Sequence, residues 1–276
     1  MAILTHSAVR EAGIVDTGTP TTVNSLGPCN KLFIPFDEGS GTTISDALTR
    51  MTFNMASLDG SVTWGGGTDV TGETIPVNMA SWSLGSSPLT TTVVPSTGTL
   101  PQPGEKAWLF CWLQHFAGFA SPFGGLRYGP TSGDGDYMDL AYENKALFEC
   151  YLNGVANLLE STEQLPPADN TSYMLAAACT APANGQRVFK GWIDSSPVGG
   201  SDQQPSAIVS SGEQFYDWTP ANEMSISAIG GTMIGMMATY VFADGLPSDI
   251  PEALSWMKEQ AIAGNKVSWP GWMTIE

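Results

Sequence analysis

Leu32-Phe33-Ile34-Pro35-Phe36-Asp37-Glu38-Gly39-Ser40-Gly41-Thr42-Thr43-Ile44-Ser45-Asp46-Ala47-Leu48 decides how the rest of this chain reads. An apolar run enters Asp-Glu-Gly-Ser-Gly, passes two threonines and ends on a Ser-Asp pair. Aromatic and β-branched residues favour extended backbone, and glycine supplies turn conformations that they resist. The stretch therefore predicts a strand, a tight glycine turn and a second short strand.

Outward from it, strand and turn signals alternate. Asp59-Gly60 is a turn, followed by Ser61-Val62-Thr63-Trp64 and Gly65-Gly66-Gly67. Residues 83–104 are rich in Ser, Thr, Pro and Gly and predict a long loop around the short β run Thr90–Val94. Ala107-Trp108-Leu109-Phe110-Cys111-Trp112-Leu113 is apolar at every position, which predicts a central strand covered on both faces. Asp136–Tyr142 alternates, Glu143-Asn144-Lys145 turns, and Ala146–Leu152 runs into Asn153-Gly154, a type I′ hairpin signal. A helix over 146–160 would be interrupted by that same pair. Tyr173–Cys179 is a further buried run, and Asn184-Gly185-Gln186 turns into a strand from Arg187 to Asp194. A strand begins at Ser225, and Met233–Phe242 is long and almost wholly apolar. Beyond it, Ser248 or Asp249 caps a helix with Pro251 in its first turn. Leu254, Met257 and Ala261 share one face of that helix, and Gly264 closes it.

The opening stretch, the apolar strand with its Asn-Gly turn and aromatic-apolar-Asp partner, and the closing Val241-Phe242 strand before the capped helix together resemble the laminin-G-like, concanavalin A-like lectin-glucanase jelly rolls. The resemblance spans about residues 31–250, with Ser195 standing where the family pattern has glycine. It implies an all-β, concanavalin A-like antiparallel β-sandwich with one short C-terminal helix. The domain organisation expected is an N-terminal arm over 1–30, the jelly roll over 31–250, and a C-terminal helix and tail over 251–276. The arm, punctuated by Asp16–Pro20 and Gly27-Pro28, reads equally as a tether lying across a neighbour or as a loosely ordered terminus.

Composition narrows the function. The 276 residues contain 27 acidic and 10 basic side chains, a net charge of −17. Such a surface repels phosphate backbones and anionic lipid, so neither nucleic acid nor membrane is an expected partner. Charged residues make up only 13%, with 31 Gly and 19 Pro, which suits many short strands and turns rather than long helices. The start, Met1–His6, has neither a basic n-region nor an apolar core, so synthesis in a host cytoplasm without a signal peptide is expected. Cys29, Cys111, Cys150 and Cys179 form no C-x-x-C pair; Cys111 and Cys179 sit in apolar runs and read as buried thiols.

No catalytic constellation assembles. His6 lies in the arm, and His115 follows an apolar strand and reads as its end residue. Neither Gly-x-Ser-x-Gly nor His-Glu-x-x-His occurs. Retaining glucanases of this fold need two carboxyls about 5 Å apart, carried as Glu-x-Asp-x-x-Glu, and that string is missing too. The expectation is that the chain is not an enzyme. Asp134, Asp136 and Asp139 form the best calcium candidate, since calcium takes several oxygens from a flexible loop; a solvated acidic turn fits the same residues. A sugar presents apolar C–H faces and polar rims, so an aromatic beside amides or carboxylates suits it. Tyr216, Asp217 and Trp218 meet that description, as does Trp64 beside its glycine run. Trp108, Trp112 and Trp192 are assigned to the core.

Chains with this resemblance occur among tailed-phage virion proteins. The expected function is therefore a non-enzymatic structural protein of a virion, such as a capsid decoration protein or a tail or fibre component. Its partners would be other virion proteins or copies of itself. The alternative is a lectin-like module mediating attachment to a surface glycan.

Overall fold

The computed structural model describes residues 30–48, 51–55, 61–68, 72, 74–83, 90–93, 107–115, 123–128, 137–143, 146–152, 155–160, 172–180, 186–187, 189–197, 208–209, 224–229, 233–242 and 245–265. In chain order the strands are β1 (Asn30–Ile34), β2 (Thr43–Ser45), β3 (Thr52–Asn54), β4 (Ser61–Trp64), β5 (Met79–Ser83), β6 (Thr90–Val93), β7 (Ala107–His115), β8 (Phe123–Tyr128), β9 (Tyr137–Glu143), β10 (Ala146–Leu152), β11 (Val155–Glu160), β12 (Ser172–Thr180), β13 (Gln186–Arg187), β14 (Phe189–Ile193), β15 (Ser196–Pro197), β16 (Ile208–Val209), β17 (Met224–Ile229) and β18 (Met233–Phe242), followed by helix α1 (Ile250–Ile262). The larger sheet runs β15-β14-β12-β7-β18-β5-β4, with β1 also paired to β18. The second runs β11-β10-β9-β8-β17-β6, and β2-β3 and β13-β16 form two small ribbons. Among the described residues every strand pairing is antiparallel.

The two apolar runs lie at the centre of the larger sheet. All nine residues of β7 and all ten of β18 are buried. Side chains alternate across a strand, so both faces must be covered. Leu109, Cys111 and Leu113 share one apolar cluster with Ala238, Tyr240 and the α1 residues Ile250, Leu254 and Met257. That face lies under the helix. Trp108, Phe110 and Trp112 alternate to the opposite face and are also buried, on the side of the second sheet. The β10–β11 hairpin closes with Leu152 opposite Val155, a two-residue connection, and residues 146–152 and 155–160 are strands rather than helix.

Packing, more than capping, holds α1. Asp249 occupies the N-cap position without a side-chain cap bond; Ser248 Oγ donates to its Oδ1 at 3.0 Å instead. A 13-residue helix is marginal by itself. Burying Ile250, Leu254 and Met257 contributes about 1.5–3 kcal/mol each, enough to outweigh a missing cap worth about 1 kcal/mol. The C-terminus is well closed. Gly264 takes φ +81°, its N–H donates to Ala261 O at 3.0 Å, and Asn265 N–H donates to Gln260 O at 2.9 Å. This is the Schellman arrangement, and it needs glycine at the left-handed position.

A carboxylate clamp ties helix to sheet. Asp194 follows β14 in the turn to β15, at φ +54°. Its Oδ1 accepts from Met174 N–H of β12 at 2.9 Å, and its Oδ2 accepts from Lys258 Nζ of α1 at 2.7 Å. Lys258 Nζ also stands 5.3 Å from the centre of the Tyr173 ring.

Two sequence expectations are corrected. The connection after β1 is not a tight glycine turn: eight residues, 35–42, separate β1 from β2, and β2 pairs with β3 instead of β1. Phe36 causes the departure. It is fully buried at φ +55°, so the chain leaves the sheet direction in a conformation costing an aromatic residue about 1–2 kcal/mol, a cost that its burial offsets. Carboxylates then stand in for a ladder. Asp46 Oδ1 accepts from Phe33 N–H at 3.0 Å and Leu48 N–H at 3.2 Å, and Glu38 Oε1 accepts from Ser45 N–H at 2.8 Å. The second correction concerns the strand from Arg187 to Asp194. It divides, with β13 pairing to β16 in a separate ribbon and β14 pairing to β12 in the larger sheet.

Candidate functional site

Trp64 ends β4, the last strand on one edge of the larger sheet. Gly65, the first of three glycines that follow, is needed because the backbone folds back closely there. A Cβ on Gly65 would overlap the carbonyl oxygen of Pro76, so no larger residue fits without moving the loop. Gly65 N–H donates to Met79 O at 2.9 Å, Gly66 N–H to Ile75 O at 3.1 Å, and Ile75 N–H to Gly67 O at 3.0 Å. Residues 65–67 are thereby tied back to Ile75 and Met79.

The second wall comes from the loop that Phe36 turns out of the sheet. Trp64 Nε1 donates to Gly41 O at 2.9 Å across 23 residues of chain. Trp64 is half-buried; Gly66, Gly67 and Thr68, which follow it closely in the chain, and Gly39–Thr42 of the loop that it bonds are exposed. A hydrogen bond at the ring's one polar atom fixes its orientation, and the residue as a whole stays partly exposed. Val77 adds apolar ground at 52% exposure, close enough to Gly66 that a Cβ there would lie 3.2 Å from its Cγ1. Asn78 Nδ2 donates to Gly264 O at 3.1 Å, which anchors this loop to the end of α1.

Register places Trp64 at one end of a cross-strand row. Trp64 is opposite Ala80, Ala80 opposite Ile234, Ile234 opposite Gln114, and Gln114 opposite Tyr173. Directly opposed residues project to the same side of a sheet. Gln114 is fully buried; its Oε1 accepts from Trp112 Nε1 at 2.9 Å, and its Nε2 has no hydrogen-bond partner. Sequence reasoning missed this amide, whose signal is a lone Gln inside an apolar strand.

The other candidates fall out separately. Tyr216, Asp217 and Trp218 lie outside the described residues, as do Asp134 and Asp136. Asp139 is the third residue of β9, opposite Arg127 on one side and Glu149 on the other. Among the described residues no group of three or more His, Cys, Asp or Glu side chains could hold a metal ion. His115 is the buried last residue of β7, with Nδ1 3.0 Å from Ser172 Oγ. Cys111 is a free buried thiol, and burial pushes its ionisation far above the ordinary range. Trp108, Trp112 and Trp192 are core residues.

No family model matches the chain, and no curated protein matches it. Solved structures do. One concerns botulinum neurotoxin type C, whose cell entry depends on interaction with two ganglioside molecules: 9% identity and a TM-score of 0.51, covering 86% of this chain and 52% of that one. A second is the binding domain of botulinum neurotoxin DC in complex with rat synaptotagmin II, at 10% identity and a TM-score of 0.50, with the same coverages of 86% and 52%. A Trypanosoma rangeli sialidase aligns at 14% identity with a TM-score of 0.49, over 88% of this chain and 36% of that one. The chain spans about half the length of the toxin chains that it matches. At these identities the likeness shows the fold, which is a concanavalin A-like antiparallel β-sandwich with a C-terminal helix.

Proposed function

We propose, with the concanavalin A-like fold as premise, that this chain is a non-enzymatic recognition module that attaches its carrier to a surface glycan. The observation that carries the reading is Trp64. A half-buried indole on an edge strand, held by its own N–H and bordered by exposed glycine, serine and threonine, has the chemistry a pyranose ring needs: a flat apolar face with hydroxyls at its rim. The likeness to a toxin whose cell entry depends on gangliosides supports the same reading. Fold likeness is a weak warrant for function, so the site carries the weight.

The carrier we propose is a tailed-phage virion, on the sequence resemblance over residues 31–250. A tail or fibre component would present Trp64 to a host glycan. A capsid decoration protein would use its surface against other virion proteins or copies of itself. Two measurements separate these. The purified protein is screened on a glycan array with calcium and with chelator, where reproducible binding by at least one glycan class is expected. Failure to bind any glycan in either condition would overturn the recognition reading. Quantitative mass spectrometry of purified particles gives the copy number, with a few to a few dozen per particle for a tail role and hundreds for decoration. Absence from particles would remove the virion as carrier.

A further inference from the structure

The ladder between β4 and β5 fixes where the backbone of β4 points. Gly65 N–H donates to Met79 O at 2.9 Å, continuing the register that sets Trp64 opposite Ala80. Bonded and non-bonded pairs alternate along an antiparallel ladder, so Ser61 and Thr63 bond to β5 while Val62 and Trp64 turn their N–H and C=O groups the other way. β4 ends its sheet on that side, and among the described residues no strand lies there and no backbone bond answers those groups. An open edge is a template for pairing, and natural sheets blunt it with charge, proline or a bulge. β4 has none of these. Ser61-Val62-Thr63-Trp64 carries neither charge nor proline, and its register with β5 is unbroken. The other sheet ends differ: β15 holds Pro197, β11 ends on Glu160, and β6 packs beside β3. Val77, 52% exposed, adds apolar surface beside Gly66 at the end of β4.

We infer that β4 pairs antiparallel with β4 of a second copy of this chain, about a two-fold axis at Thr63. This stands apart from the glycan reading. The strand's own pattern is self-complementary. With Thr63 opposite Thr63 of the second copy, Val62 faces Trp64 of that copy and Trp64 faces its Val62, so the outward backbone groups meet as bonded pairs. The same register sets a β-branched side chain against an aromatic one on either side of a threonine pair, combinations that favour strand pairing. Charge opposes the approach at long range, because each copy carries −17. Association must therefore strengthen with salt, as the Debye length falls from about 30 Å at about 0.01 M to about 8 Å at about 0.15 M. A basic peptide on the same edge would show the opposite salt dependence.

The test is sedimentation equilibrium of the purified chain at both salt concentrations, from about 10 μM to about 1 mM protein, the range of weak reversible association. Dimerisation that tightens with salt is expected. Val62→Pro removes an outward N–H that β5 does not use, so it keeps the fold and the melting temperature and loses dimerisation. Thr63 is exposed, so Thr63→Lys and Thr63→Asp also fold. Each alone sets like charges face to face at the axis and weakens self-association about fivefold. An equimolar mixture of the two restores it, because opposite charges then meet. Should Val62→Pro fail to fold, the charge variants decide the matter. A wild type that stays monomeric throughout would overturn the inference. So would a dimer indifferent to a folded Val62→Pro, or charge variants whose mixture shows no recovery. None of these outcomes bears on the glycan array, so the two readings fail separately.

Discussion

Replacing Asp194 with alanine removes the junction between the β14–β15 turn, strand β12 and helix α1. Its two oxygens perform different tasks. Oδ1 satisfies the N–H of Met174, a residue with no exposed surface, at 2.9 Å. Losing that acceptor leaves a donor unpaired inside a buried strand, at about 1–3 kcal/mol. Oδ2 meets Lys258 at 2.7 Å, but the two side chains are 21% and 30% exposed for lysine and aspartate respectively, so the pair contributes about 0–1 kcal/mol. Alanine also resists the φ of +54° that aspartate and asparagine tolerate. The expected destabilisation for Asp194→Ala is about 2–4 kcal/mol, dominated by the backbone bond. Asp194→Asn keeps an acceptor and the tolerance for positive φ and should lose about 1 kcal/mol or less, as should Lys258→Met. Urea unfolding followed by tryptophan fluorescence reads all three. A loss below about 0.5 kcal/mol for Asp194→Ala, within the range of an ordinary surface substitution, would refute the clamp. Asparagine as damaging as alanine would refute the ranking, making the ion pair rather than the backbone bond the main contributor.

Three further outcomes follow from the geometry. Gly65→Ala places a methyl group on the Pro76 carbonyl and must displace the loop; a loss of about 2 kcal/mol or more is expected, together with a changed Trp64 fluorescence spectrum, and an unperturbed melt would refute the close approach. Burial raises the Cys111 thiol ionisation strongly in the fold, so the native state keeps its proton when the unfolded chain releases it. The contribution is then whole below the unfolded thiol value of about 8.5 and is lost as pH climbs above it, by up to about 1.4 kcal/mol per pH unit; Cys111→Ala should flatten the alkaline slope between about pH 8.5 and 10, and an unchanged slope would assign it elsewhere. Trp192 is 3% exposed and its indole N–H has no partner, so Trp192→Phe sheds an unpaired buried donor and offsets part of its lost volume, with an expected loss within about 1.5 kcal/mol by urea unfolding; a loss above about 3 kcal/mol would show the packing term to dominate.

The sequence by itself determined the elements whose signal is local. The apolar run at 107–113 and the almost wholly apolar one at 233–242 marked strands covered on both faces, because a strand with one face in water alternates apolar and polar positions. Asn153-Gly154 marked a two-residue hairpin, and Pro251 with Gly264 bracketed the helix, because turns and caps are written in residues that tolerate unusual backbone. Only the tertiary structure decided which distant groups meet. Phe36 at positive φ sends its loop out of the sheet, and β2 finds β3 instead of β1. Gly41 reaches Trp64 across 23 residues, and Lys258 reaches Asp194 across 64. Hydrogen bonding and packing between such groups depend on where whole sheets settle. A periodicity or a turn motif therefore fixes the strand and leaves its neighbour open.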